Sequence, residues 1–366
     1  MNTFALKDVA LTFNEMKDAF EPDSLYLWIR DVLTMATCNS LLGSHNPMKS
    51  DKSLVEALWD FDAGVFLLVL NIMLWIVAPN AYKARETLQA ALRKYYGANH
   101  DLEPDVAKLT KVSQSTSAPC PCIGKTSPLS NFLDFKHYKR VMATNGSIIG
   151  SCSYYKKYDL GTDDTGNFEL ALLNVSTANA ILTVFWLVAF IVSDPALIAS
   201  IREELQAVIT ISEPKNGKRQ AEVDITKLED DCPLLVSSYR EVIRLINSQL
   251  GTRRVMADTT ISDEKSTYLL RKGWDILIPA GVPHRSTEVW GPNAASFDAR
   301  RFMKLDTKGA MSEKAKEEKQ AYIPLNGGKH LFPGRNFAFA EMLGFIATLI
   351  VGFDVKAKDG GLITVP

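Results

Sequence analysis

Cysteine is scarce in this sequence and is absent from its last third. The 366 residues include five cysteines at scattered positions, Cys38, Cys120, Cys122, Cys152 and Cys232. Disulfide-stapled secreted domains carry even numbers of cysteines at dense spacing, so this set excludes such a framework and fits a reducing compartment. The Cys-Pro-Cys triplet is too tight for a CxxC metal motif, and a metal site needs several ligands. We therefore predict no metal site from the sequence.

The chain also lacks an excess of charge of either sign. It has 41 Lys and Arg residues against 42 Asp and Glu residues, and its pI is about 6.5. A nucleic-acid partner favours a strongly basic surface, so we expect none. The N-terminal MNTFALKDVALTFNEMKDAF carries charges throughout and lacks the apolar core of a signal peptide. We expect no integral membrane anchor in this chain.

Long uncharged hydrophobic runs are limited to two stretches, residues 63–78 and 171–192. The first is short for a membrane span and contains Asn71, while the second contains Asn174 and Asn179. Amide side chains are costly in lipid, so these runs favour buried core helices, with a membrane-protein reading as the alternative. We expect a cytoplasmic protein or a peripheral one.

Helical periodicity dominates the first 250 residues. Apolar spacing predicts helices at residues 25–42, 54–78, 80–96, 171–192, 196–211 and 234–250. Ser193-Asp194-Pro195 is typical of a helix N-terminus, and Gly251 is expected to end the last helix. Residues 102–129 read as a surface connection, and residues 213–218 as a charged turn.

Short strand patterns replace the helices after residue 250. We predict strands at residues 252–256, 266–270 and 275–279, with Gly273 in the turn between the last two. Residues 304–319 are highly charged and read as a solvated meander, and a final helix is predicted at 335–351. The fold class is therefore mainly α with small β-sheets.

Glu241 and Arg244 lie three residues apart on an otherwise apolar helix, so the two side chains are able to pair on one face. Such spacing recurs by chance on surface helices, but apolar neighbours favour a buried pair, which needs further partners. Arg301 stands between aromatic residues in the later stretch FDARRF. We predict that Arg301 returns to the pair; the alternative is a packed surface loop.

The stretch LNGGKHLFPGRNFAFA has the pattern of a glycine-rich loop that leads into a helix. Its paired glycines, including Gly328, allow a backbone to approach a flat ligand, and His330 is able to donate to an acidic group. Gly334 turns the chain into the helix. Phe332 occupies the position at the end of the loop from which a side chain would face a metal cofactor. A phenyl ring has no lone pair to offer a metal.

These three elements, in this order, resemble those of the cytochrome P450 haem-thiolate monooxygenases. The family's loop signature is Phe-Gly-x-Gly-x-(His/Arg)-x-Cys-x-Gly-x-x-x-Ala, and here it runs from Leu325 to Ala338 with Phe332 in place of the cysteine. The family's buried Glu-x-x-Arg matches Glu241 and Arg244. Its Pro-Glu-Arg-Phe loop matches the four residues that contain Arg301. The resemblance implies a cytochrome P450-like fold and haem as cofactor.

The resemblance also assigns expected roles to individual residues. Arg253 and His330 fall where family members bind the haem propionates, and Asn179-Ala180 stand at the oxygen-activation position in place of an acid–alcohol pair. The helix around Asn179 resembles that of the clan containing sterol 7α-hydroxylases, prostacyclin synthase and fungal relatives of specialised metabolism. That clan implies a lipophilic small molecule as substrate. Its members on the endoplasmic reticulum membrane use an NADPH-dependent reductase.

Phe332 changes what the resemblance implies for activity. The cysteine sulfur is the family's only protein bond to iron, and its electron donation promotes O–O cleavage. We therefore expect weak haem binding and a catalytically impaired or inactive family member. Two alternatives remain: an active monooxygenase or isomerase of secondary-metabolite biosynthesis, and a non-catalytic protein that binds a lipophile or serves as a scaffold.

The resemblance further predicts one truncated domain over residues 1–366. A helical part would span residues 1–250, and the small sheet, meander, haem-binding loop and following helix would span 251–366. The family's anchor, first helices and main N-terminal sheet have no expected counterpart here, and neither does the final sheet hairpin.

Overall fold

The computed structural model describes residues 20–70, 73–107, 162–215, 218–263, 265–304, 312–325, 334–361 and 363–365. Its α-helices are α1 (Leu25–Leu42), α2 (Pro47–Ser50), α3 (Ser53–Leu70), α4 (Leu74–Val77), α5 (Pro79–Gly97), α6 (Thr162–Val192), α7 (Pro195–Leu205), α8 (Leu228–Asp231), α9 (Pro233–Ile246), α10 (Gly281–His284), α11 (Thr287–Trp290), α12 (Glu313–Ala321) and α13 (Arg335–Gly352). The strands are β1 (Ile209–Lys215), β2 (Lys218–Val223), β3 (Leu250–Arg254), β4 (Thr259–Ser262), β5 (Thr267–Leu270) and β6 (Asp275–Pro279). The predicted fold class, mainly α with small sheets, is confirmed.

The chain divides into two compact units. Unit 1 contains residues 1–193, 209–226 and 332–366, and unit 2 contains residues 194–208 and 227–331. Each unit therefore draws on separate stretches of the chain.

Unit 1 is built around the packing of α3, α5 and α6, with α1 and α13 also against α6. Its core includes Phe61, Leu88, Leu92 and Leu170, all buried. Gly64 permits close contact between α3 and α5, because a Cβ on Gly64 would meet the Cβ of Ala81 at 2.3 Å. Burial of these apolar side chains is the main stabilising contribution in the unit.

Two polar residues of the long apolar helix α6 donate hydrogen bonds within unit 1. The Asn174 amide donates to Asp62 Oδ1 at 2.9 Å, and the Thr177 hydroxyl donates to the Leu173 carbonyl at 2.8 Å. Residues 164–192 and helix α13 are nevertheless long and apolar enough to cross a membrane, by length and composition alone. About half of each apolar stretch is buried inside the protein (44% and 50%).

Unit 2 places helix α9 beside α7, α8, α10 and the 3₁₀ turn Arg301–Lys304. Strands β3 and β6 pair antiparallel, with Arg253 opposite Ile276, and β4 pairs with β5 in a second two-stranded sheet. Helix α7 begins as the sequence predicts: the Asp194 side chain accepts from the Ala196 and Leu197 backbone amides, and Pro195 opens the first turn.

Two predicted helices are too long at their C-terminal ends. The helix predicted at 196–211 ends at Leu205, and Ile209–Lys215 is instead a strand that pairs with β2. The predicted charged turn at 213–218 is therefore largely strand, although residues 216–217 lie outside the described residues. The helix predicted at 234–250 ends at Ile246. Gly251 does not cap it but lies in β3, where it pairs with Ile278 of β6.

Two further predictions need correction. The helix predicted at 54–78 is divided into α3 and α4, and Met73 has a φ of +43°, a conformation incompatible with a continuous right-handed helix. The meander predicted at 304–319 contains helix α12, which begins at the N-cap Ser312 and buries no residue. Its exposure was predicted, but its helical structure was not. Most of the surface connection predicted at 102–129 lies outside the described residues.

Candidate functional site

The Glu241 carboxylate is the centre of a buried charge network in unit 2. Helix α9 places Glu241 and Arg244 on one face, and both side chains are fully buried. Arg244 donates from Nη2 to Glu241 Oε1 at 2.8 Å and from Nε to Oε2 at 2.7 Å, a two-bond arrangement. Paired bonds of this kind fix orientation as well as charge.

Arg244 also holds the chain beyond strand β6. Its Nη1 donates to the Ala294 carbonyl at 2.7 Å and to the His284 carbonyl, and its guanidinium lies 5.2 Å from the centre of the Trp290 ring. A buried guanidinium needs partners for its several N–H groups, and two backbone carbonyls supply them here.

Arg301 completes the network from the 3₁₀ turn. Its Nε donates to Glu241 Oε1 at 2.9 Å, so the contact predicted from the sequence is present. Its other nitrogens donate to the carbonyls of Trp290 and Asn293, each at 3.1 Å. The backbone N–H of Asp298 donates to Glu241 Oε1 as well, at 3.1 Å. One buried carboxylate thereby joins helix α9 to residues 290–301.

Three hydrogen bonds hold the segment immediately before the glycine-rich loop. The Tyr322 hydroxyl donates to the Arg240 carbonyl at 3.2 Å, and the backbone N–H of Ile323 donates to His284 Nε2 at 2.8 Å. The Asn247 amide donates to the Pro324 carbonyl at 2.6 Å. Sequence reasoning missed these anchoring residues, because their spacing along the chain carries no recognisable pattern.

His284 is held in its neutral form. Its side chain is fully buried, and burial together with the nearby Arg244 guanidinium lowers its pKa to about 4. Because Nε2 accepts from Ile323, the ring proton lies on Nδ1, which has no hydrogen-bond partner among the described residues. The neutral ring is what allows this histidine to serve as an acceptor.

The other residues singled out by the sequence lie in several places. In unit 2, Arg253 is half-buried on strand β3 and donates to the Thr252 carbonyl at 2.9 Å. In unit 1, Asn179 is exposed and Ala180 half-buried on α6, and Gly334 precedes α13 as its N-cap residue. The loop residues Gly328, His330 and Phe332 lie outside the described residues.

Helix α13 carries a buried acid that sequence reasoning also missed. Glu341 is 2% exposed, and the Thr37 hydroxyl donates to its Oε1 at 2.6 Å. Burial raises the pKa of Glu341 to about 7, and the Thr37 hydrogen bond acts in the opposite direction. Burial raises the pKa of the nearby Cys38 thiol to about 12, and the Glu341 carboxylate acts in the same direction.

The class that emerges is a mainly helical protein with small antiparallel sheets and a buried Glu–Arg–Arg network ahead of a glycine-rich loop. The family described as Cytochrome P450 matches residues 159–364, more than half of the sequence. The chain belongs to the cytochrome P450 family, as the resemblance of its motifs predicted.

Relatives and a solved structure agree with this membership. A cytochrome P450 monooxygenase of Gibberella zeae is 33% identical over 362 residues, 98% of this chain and 60% of that protein. The monooxygenase nodJ of Hypoxylon pulicicidum is 25% identical over 92% of this chain and 57% of its own length. The rat 25-hydroxycholesterol 7-alpha-hydroxylase is 30% identical over 54% of this chain and 47% of its own length. The chain thus spans about 60% or less of these curated relatives.

A solved structure of cyanobacterial CYP120A1 with bound retinoic acid has a similar fold. Its TM-score is 0.62, with 18% identity, over 95% of this chain and 67% of that chain. At that identity the likeness shows the fold alone. Family membership implies haem as the family's cofactor, and in general a redox-partner reductase and a lipophilic substrate.

Proposed function

We propose that this chain is a cytochrome P450 family protein that has lost thiolate-supported oxygen activation. The observation that carries the proposal is Phe332, which stands in the sequence where the family has its cysteine ligand. A thiolate donates electron density to haem iron, whereas a phenyl ring has no lone pair to donate. The loss concerns the one bond that the family's chemistry requires from the protein.

The donor set of this sequence does not fit a thiolate-ligated haem. No cysteine occurs after Cys232, so no neighbouring thiol stands in the sequence to replace the missing one. His330, two positions before Phe332, carries a nitrogen lone pair, but the resemblance assigns it to a propionate. We therefore propose no oxygen-activating step for this chain.

The buried Glu–Arg–Arg network supports a chain that folds although the cysteine ligand is replaced. Glu241, Arg244 and Arg301 retain a full set of hydrogen bonds, and the segment 322–324 ahead of the loop is anchored at three points. Removing one member of a buried ion network strongly destabilises the folded protein. The presence of this network in a sequence that carries Phe332 supports a folded family member with an altered loop sequence.

Carbon monoxide binding tests the proposal. The chain is expressed with haem supply, purified, reduced and exposed to carbon monoxide, and its Soret band is recorded beside that of Phe332→Cys. We expect no thiolate-type ferrous–CO band from the chain as it stands and such a band from Phe332→Cys. A matched variant, Phe337→Cys, places a thiol on the following helix and should give no thiolate-type band.

A thiolate-type band from the unaltered chain would refute the proposal. A histidine-type band that disappears in His330→Ala would show that a nitrogen ligand has taken over, and would also contradict the assignment of His330 to a propionate. If Phe332→Cys captures no haem, the ligand is not the decisive change, and the proposal that the loss lies at this one residue fails.

An active monooxygenase is the second candidate. The 33% identity to a Gibberella zeae monooxygenase over nearly the whole chain favours it.

The proposed substrate class and location follow the relatives in either case. The relation to a 25-hydroxycholesterol 7-alpha-hydroxylase supports a lipophilic sterol- or terpenoid-like ligand. We further propose that the protein is cytoplasmic or peripheral at the endoplasmic reticulum membrane, where an NADPH-dependent reductase would be its partner.

A further inference from the structure

His45 meets His100 and Glu103, which lie more than 50 residues later in the sequence, at the surface of unit 1. His45, His100 and Glu103 each present one potential ligand atom, and these atoms lie within 4.8 Å of one another. The two imidazole rings are stacked, with centroids 4.1 Å apart and planes 5° from parallel. The haem chemistry of the family uses none of these residues.

Two short turns bring the residues together. His45 ends the 3₁₀ turn Gly43–His45 that follows α1, and His100 begins the 3₁₀ turn His100–Leu102 that follows α5. Two further hydrogen bonds join the chain segments that contain these turns. The Tyr95 hydroxyl donates to the Leu42 carbonyl at 2.8 Å, and the Ser44 backbone N–H donates to Asp105 Oδ2 at 2.7 Å.

The distances between the ligand atoms exceed those of hydrogen bonds and approach those between ligands of one metal ion. The Nδ1 atoms of His45 and His100 each lie 3.7 Å from Glu103 Oε1, longer than a hydrogen bond. Ligands on a tetrahedral ion with bonds of about 2.1 Å stand about 3.4 Å apart. Metal binding would require the two stacked rings to rotate so that both Nδ1 lone pairs point at one ion. All three side chains are between 32% and 48% exposed, which leaves room for that rotation.

We propose that His45, His100 and Glu103 form a binding site for a divalent transition-metal ion of the zinc class, with water completing its coordination. Two imidazole nitrogens and one carboxylate oxygen suit such ions, whereas Ca²⁺ and Mg²⁺ prefer all-oxygen sites. The Asp105 carboxylate, held beside His45 by Ser44, adds negative charge near the site. The Ser44 hydroxyl, 3.3 Å from His45 Nδ1, would turn away when the metal binds.

The bound ion would link the connection after α1 to the end of α5. Both turns belong to unit 1, and neither contains a residue of the glycine-rich loop, so metal binding is tested without haem. Its role would be to stabilise this part of unit 1, because a ligand that binds only the folded state shifts the folding equilibrium towards it.

Zinc binding to the chelator-treated full chain tests the proposal. Isothermal titration with ZnCl₂ is run on the unaltered chain and on His45→Ala/His100→Ala, and the number of bound equivalents is compared. Counting equivalents separates this site from zinc held by cysteines elsewhere. We expect the double variant to lose one equivalent and the zinc-dependent rise in melting temperature. Replacing zinc with Co²⁺ should give a visible band without thiolate-to-cobalt charge transfer for that equivalent.

A matched pair of carboxylate variants sharpens the result. Glu103→Gln should weaken that equivalent at least about tenfold, since outer and inner ligands each tune metal affinity. Glu86→Gln, exposed on α5, should leave it unchanged. Circular dichroism checks that every variant folds without metal, as expected for exposed side chains. An unchanged number of equivalents in the double variant, or equal effects of the two glutamate variants, would overturn the proposal.

Discussion

At the scale of single residues, Glu341 shows how burial alone sets a pH response. Its carboxyl is enclosed in unit 1, and its pKa rises from an ordinary value of 4.5 to about 7. The folded state therefore binds the proton more tightly than the unfolded state. Its contribution is most favourable below about pH 4.5 and declines as pH rises to about 7, because over that range the carboxyl ionises in the unfolded state and stays protonated in the folded state.

Glu341→Gln should remove this pH response. Glutamine keeps an acceptor for the Thr37 hydroxyl and carries no charge, so the free energy of unfolding should exceed that of the unaltered chain by up to about 3 kcal/mol near pH 8. Near pH 4.5 the two proteins should differ little. Urea unfolding at both pH values measures the difference, with the exposed-site variant Glu86→Gln as control. A gain of equal size at both pH values would contradict the ionisation argument.

Phe332 belongs to the same scale. Its chemistry follows from the side chain itself: carbon and hydrogen provide no donor to iron, whatever backbone conformation the loop adopts. The sequence was therefore sufficient to raise the question of activity. The pH response of Glu341 could not be predicted from the sequence. A single glutamate in FAFAEMLGF gives no indication that it is buried and accepts from Thr37 of helix α1.

At the scale of elements, helix α9 joins most of unit 2. It supplies Glu241 and Arg244, contacts the 3₁₀ turn Arg301–Lys304, and at its end Asn247 holds Pro324 ahead of the glycine-rich loop. Removing a charged side chain from water lowers the stability of the folded state unless that charge is paired. The helix is therefore more sensitive to the loss of one charge than its apolar packing alone would make it.

Arg244→Met should destabilise unit 2 by about 3 to 5 kcal/mol, because it leaves the buried Glu241 carboxylate with Arg301 as its one cationic partner among the described residues and two carbonyls without this donor. Arg240→Met, one turn earlier on the same helix and partly exposed, should cost less than about 1 kcal/mol. Chemical denaturation followed by tryptophan fluorescence compares them. Similar losses in both variants would show that the network contributes little.

Element boundaries were predicted well where local signals were strong. Residues 25–42 form α1 as predicted, with Ser24 accepting from the Leu27 amide, and Asp194-Pro195 opens α7. The errors fall where pairing with another strand outweighs local periodicity. Residues 209–211 continue a helical pattern but pair with β2 as part of β1. Gly251 resembles a helix cap but lies in β3 and pairs with Ile278 of β6.

At the scale of the whole molecule, two units with separate contacts share one chain. The apolar helices α6 and α13 belong to unit 1 and pack against each other there. Their hydropathy is high enough for a membrane, yet Asn174 and Thr177 find their partners inside the unit. These contacts support burial in a protein core.

Alkaline carbonate extraction should consequently release the chain from membranes of a yeast expression host. A peripheral protein is freed when ionic contacts are broken, whereas a spanning helix is retained by its apolar area. A spanning reticulum protein in the same sample is the retained control, and gradient flotation distinguishes aggregates from membranes. Flotation with the spanning control after carbonate would show that α6 or α13 is inserted in lipid.

The sequence by itself determined the family, the helical class and the presence of Phe332 at the position of the family's cysteine, because each depends on residue identity or on local spacing. Only the tertiary structure decided which distant groups meet. It placed His284 against Ile323, Glu341 beside Thr37, and His45 beside His100. Such contacts depend on how helices and turns pack, and packing is a property of the whole chain that no local pattern encodes.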